Sequence, residues 1–124
     1  MSFVYDSGID VIDSGWTAGV VVVVGPGYVP DQDGHTSLAD ISDELGRANV
    51  TVAVATSSGV QRVDFAASPS ISISGATAVG GWVLASDGAN DAARVLVRWA
   101  EYTGGTPPDP FEVACPTGVV RIVA

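Results

Sequence analysis

The chain has 124 residues, 47% of them hydrophobic and only 15% charged, and its 14 acidic residues against 5 arginines and no lysine give a formal charge of −9. That length suits one domain burying roughly two-thirds of its unfolded surface, and the acidic balance disfavours binding to phosphate backbones, so nucleic acid is excluded as an expected partner. A lone cysteine excludes an internal disulfide, no apolar run is long enough for a membrane span, and no leader pattern is present, which together lead us to expect folding in a reducing cytoplasm.

Fifteen glycines, seven prolines and abundant Val, Ala, Ser and Thr are the composition of short strands and turns. Phe3, Val4 and Tyr5 open the chain, and Gly8 to Ile12 alternate loosely, as expected of a terminal arm (residues 1–7) or an edge strand. Asp13-Ser14-Gly15 is a turn, and Trp16 beside it reads as a lid on the core more readily than as a binding platform. Val20 to Val24 are five valines in succession, a pattern that predicts a strand buried on both faces at the centre of the molecule, stopped by Gly25-Pro26-Gly27.

A loop, Tyr28-Val29-Pro30-Asp31-Gln32-Asp33-Gly34-His35, leads to Ser37, which can cap a helix over residues 37–45 with Leu38, Ile41 and Leu45 on one face and Asp40 in the first turn. From Val50 the period becomes two. Val50, Val52 and Val54, the turn Ser57-Ser58-Gly59, then Val63 and Phe65 predict a hairpin. Ser70 to Ser74 predict a strand with Ile71 and Ile73 inward. Gly80-Gly81 before Trp82 predict a bulge or a close crossing, and residues 93–102 a long strand with Val95, Val97 and Trp99 on one face. Phe111, Val113 and Cys115 share a face, with Cys115 read as a small buried apolar residue, and Val119 to Val123 form a closing strand tied into the sheet. The expected fold is therefore mainly β, a single-domain antiparallel β-sandwich or flattened barrel of about seven to nine strands with one short α-helix.

Little in the sequence points to chemistry. Asp31-Gln32-Asp33-Gly34 matches the start of a calcium loop, but Ser42 stands where a closing glutamate belongs, so an acidic surface loop is the better account. His35 is the only histidine and has no soft partner nearby in sequence, and a nucleophilic Cys115 would lack a neighbouring base. The glycines form no phosphate-binding pattern, and Asn49-Val50-Thr51 matches a glycosylation acceptor only by chance. No enzyme, no cofactor and no metal are expected.

The succession Ile9-Asp10-Val11-Ile12-Asp13, a valine-rich strand, Gly27 to His35, and Leu38-Ala39-Asp40-Ile41-Ser42-Asp43-Glu44 resembles a family of small virion structural proteins of tailed bacteriophages. Members show a Tyr-x-Pro-Asp-x-Asp-x-His segment between a strand and a short helix; Val63-Asp64-Phe65, Trp82 and the stretch from Val95 to Tyr102 before a Thr-Gly loop are similar too. Residues 27–44 carry the specific part. The segment after the helix is shortened here, and Ala100-Glu101-Tyr102 replaces a Lys-Asp pattern common in the family. The resemblance implies a capsid decoration (cement) protein on the outer face of the head shell, with the major capsid protein as partner and a homotrimer as the assembly. Phe3, Val4, Tyr5, Tyr28, Asp31, Asp33 and His35 are the candidate contacts. A tail or neck structural protein is the alternative within the virion. A small carbohydrate- or receptor-binding β-module is the alternative of another class, and it requires two of Trp16, Trp82 and Trp99 exposed side by side.

Overall fold

The computed structural model describes residues 2–113 and the backbone of Val119–Ile122. It is mainly β, as expected: strands β1 (Phe3–Val4), β2 (Ala18–Val24), β3 (Glu44–Ser57), β4 (Val60–Phe65), β5 (Ser70–Ile71), β6 (Gly81–Ser86), β7 (Leu96–Glu101), β8 (Phe111–Glu112) and β9 (Val119–Ile122) accompany one α-helix, α1 (Gly8–Asp13). Seven strands form one curled antiparallel sheet in the order β1-β7-β6-β2-β3-β4-β9, and β5 pairs with β8 in a separate ribbon.

The valine strand β2 sits in the middle of this sheet between β6 and β3, and Val20 to Val24 are all buried. Because side chains alternate across a strand, the five residues feed two cores. Val21 and Val23 pack with Ile12, Trp16, Trp82, Leu84 and the Ile71, Ile73, Phe111 and Val113 of the ribbon region. Val20, Val22 and Val24 pack with Tyr5, Tyr28, Leu38, Leu96 and Trp99 on the opposite face. A strand covered on both sides has no position for a polar side chain, which is why its sequence does not alternate.

Several other expectations hold. The β3–β4 hairpin turns through Ser58 and Gly59, both at positive φ (51° and 78°), the pairing that two-residue hairpin loops favour. Ile71 and Ile73 are buried between exposed serines, although only Ser70–Ile71 of the expected strand over residues 70–74 pairs as one, and β9 ties the chain's last described residues to β4. Gly80 and Gly81 mark a close crossing: a Cβ on Gly81 would lie 2.2 Å from the Ala100 carbonyl oxygen, and one on Gly80 would lie 2.7 Å from that of Gly25. Cys115 and the turn at residues 116–118 lie outside the described residues.

Three expectations are corrected. The helix predicted at residues 37–45 is a single 3-10 turn, Leu38–Asp40. Its start signal is real, since the Asp40 carboxylate accepts from the backbone N–H of Thr36 (2.8 Å) and Ser37 (3.2 Å). Helix does not propagate because Ile41 is already extended, and residues from Glu44 onward pair with β2. Leaving that flank of a fully apolar strand unpaired would orphan a row of backbone groups, a larger loss than one amphipathic turn can offset.

The helix instead forms at Gly8–Asp13, where an arm or edge strand was expected, with only Phe3–Val4 serving as the edge strand. Gly8 and Ile12, one turn apart, face inward and are buried. A Cβ on Gly8 would come within 2.5 Å of the Val97 Cα, so only glycine lets α1 lie this close to β7. In β7, finally, Val97 and Trp99 do not share a face. The β6–β7 register shifts between Leu84 and Ala85, which pair with Arg98 and Leu96, leaving Val97 as the extra residue of a bulge. Val97 therefore joins one core, and Leu96 and Trp99 the other.

Candidate functional site

Tyr28 to His35 are held by their flanks. Pro26 and Gly27 turn the chain out of β2, and Asp43, just before β3, clamps the turn: its carbonyl accepts from Gly25 N (2.8 Å) and its carboxylate from Gly27 N (2.8 Å). Tyr28 then points inward and is only 4% exposed, so the next residue, Val29, points outward at 76% exposure. Val29 is the one large hydrophobic side chain so exposed among the described residues.

Asp31 and Gly34 close the far end of the loop. The Asp31 carboxylate accepts from Gly34 N (3.0 Å), and its carbonyl accepts from His35 N (3.1 Å). The Gly34 N–H holds the Asp31 carboxyl below the usual carboxylate range. A side chain on Gly34 would collide with that carboxylate, 2.3 Å from its Cβ position.

The structure brings the seven sequence-predicted contact residues into one region without making all of them surface. The phenol oxygens of Tyr5 and Tyr28 are 2.8 Å apart, and Tyr28 Oη lies 2.9 Å from His35 Nδ1, with the Tyr28 and His35 rings stacked at 5.5 Å. A neutral imidazole accepting at Nδ1 lets Tyr28 donate to His35 and Tyr5 donate to Tyr28, so both phenol protons find an acceptor. Burial pushes both phenols up in pKa, and for Tyr5 the hydrogen bond with Tyr28 adds to it.

Tyr5 is fully buried, and Phe3 and Val4 are half-buried on β1, opposite Trp99 and Arg98. Residues 2–7 are thus built into the fold and are not a free arm. Asp31 and Asp33 are exposed. Together with His35 they do not form a metal-ligand set: among the described residues no three His, Cys, Asp or Glu side chains gather closely enough to share an ion.

Two contributors are absent from the sequence-based set. Gln32 donates its side-chain amide to Val4 O (2.9 Å) and accepts Asp6 N–H at its carbonyl (3.0 Å), which seals the loop against β1. Asp43 is the other, and its positive φ of 55° is the local signal, a conformation that Asp tolerates better than most residues. Phe3, Pro26, Val29, Val79, Trp99 and Tyr102 line a groove along this region. Trp16, Trp82 and Trp99 are each buried, so no two of them form an exposed platform.

Comparison of the chain with protein-family models, with curated proteins and with solved structures finds no match.

Proposed function

We propose that this protein is a capsid decoration protein of a tailed bacteriophage, which binds the outer face of the head shell as a trimer and stabilises it. The observation that carries this reading is the loop Tyr28 to His35. The segment whose sequence resembles virion structural proteins is the one that folds into a braced loop holding Val29 in solvent beside Phe3. An apolar side chain fixed outside the core gains nothing within the chain and gains by burial against a partner. A trimer multiplies one small contact, because once the first protomer is bound the others meet their sites at high effective concentration.

The test is to mix purified protein with particles grown without it and to sediment them. Wild type should pellet with the heads and delay heat-induced loss of DNA. Val29→Asp should lose about tenfold or more in apparent affinity with an unchanged circular dichroism spectrum. Attachment to tails alone would replace this reading with the tail or neck alternative, and undiminished binding by Val29→Asp would remove the loop from the contact.

A further inference from the structure

We propose that the groove beside Val29 seats an extended segment of the shell subunit that carries an apolar side chain between arginines or lysines, an inference that rests on the decoration reading. The walls are largely apolar, with Phe3, Pro26, Val29, Val79, Trp99 and Tyr102, and Glu101 is the charged residue among them. They are also fixed. Tyr28 anchors one side through Tyr5 and His35, Asp43 clamps the turn, and Gln32 ties the loop to β1. A groove made before its occupant arrives loses little conformational freedom on binding.

The charge of the occupant follows from its surroundings. Asp31 and Asp33 stand exposed just beyond Pro30, and the exposed Asp6 is joined through its backbone N–H to the same loop. Hydrogen bonding from Gly34 N keeps the Asp31 carboxylate ionised well below neutral pH. No arginine among the described residues lines the groove, while Arg47 and Arg94 are engaged elsewhere with Glu44 and Asp91. A second copy of this chain, itself at −9, would bring acid to acid, whereas a segment with flanking basic residues is complementary. Strand addition to β1 is obstructed, because Gln32 already occupies the Val4 carbonyl and the Asp6 N–H, so the segment is held through its side chains.

The experiment titrates isotope-labelled full-length protein with a short blocked peptide containing a Pro-Leu centre flanked by arginines, and with a matched peptide bearing glutamates instead. The arginine peptide should shift the resonances of Phe3, Val29, Val79, Trp99 and Tyr102. The glutamate peptide should bind at least about tenfold more weakly, and added salt should weaken the arginine peptide. Val29→Asp should abolish the shifts without altering the spectrum elsewhere.

Equal binding of both peptides, shifts outside the groove, or no shifts would overturn the proposal. Concentration-dependent shifts at the same residues without peptide would also overturn it, making a second copy the occupant. Peptide binding at the groove by a protein that does not attach to particles would overturn the decoration reading, and the shell as source with it.

Discussion

Tyr28 is the residue on which the loop turns, because among the described residues its hydroxyl is the one hydrogen-bond partner of the buried Tyr5 hydroxyl. Tyr28→Phe should orphan a fully buried O–H and cost about 1–3 kcal/mol, whereas Tyr5→Phe leaves the Tyr28–His35 bond in place and should cost clearly less. The double variant should fall short of the sum, and urea denaturation of the four proteins checks this as a double-mutant cycle. A second residue-scale prediction concerns Asp91, whose carboxylate meets Arg47 (2.8 Å) and Arg94 (2.7 Å) and is held at about 2 by those bonds. A folded-state value depressed below the ordinary one means that the stabilisation is present above about pH 4 and is lost as pH falls toward 2. Asp91 is 40% exposed, so solvent screens much of the effect. Asp91→Asn should flatten the fall in stability over that window without removing it, as acid titration of the melting temperature would record.

At the scale of elements, β1 is a strand of the sheet and α1 packs against its β7. Deleting residues 1–7 removes the buried Tyr5 and should cost about 3 kcal/mol or more, or prevent folding, in contrast to the behaviour of a free arm. Gly8→Ala should also destabilise the protein, since the clash is with the Val97 backbone and no side chain can swing away; thermal unfolding followed by circular dichroism measures both. The strands that could be read from the chain were those with strong local patterns: the five valines, the Ser58-Gly59 hairpin, and the Ser-Ile alternation. The helix was misplaced because both candidates are near the length where tertiary pairing decides. Residues 37–45 carry a genuine capping signal, but the chain from Glu44 onward is needed beside β2, while Gly8–Asp13 forms a helix only because Gly8 permits close contact with β7. The β7 bulge was invisible for a related reason, since register is a property of two strands together. The loop Tyr28 to His35 stood out in the sequence, yet its bracing by Gln32 and Asp43 depends on residues brought close only by folding.

For the whole molecule, two cores back to back on one sheet make β2 the common wall, so Val22→Ala should cost about 2–3 kcal/mol and loosen the face that supports Tyr28, Leu38 and Trp99. The surface consequence is a rigid acidic loop with an apolar groove on a chain of charge −9. The proposed decoration role uses both properties, the groove for contact and the charge to keep unbound trimers apart. A cryo-EM map of the phage particle proposed to carry this chain tests that account most directly. The account predicts three-fold density on the outer face of the head, with the Tyr28 to His35 loop and Phe3 turned toward the shell. Density for this protein confined to the tail or neck, or a head-bound copy with that loop facing solvent, would contradict it.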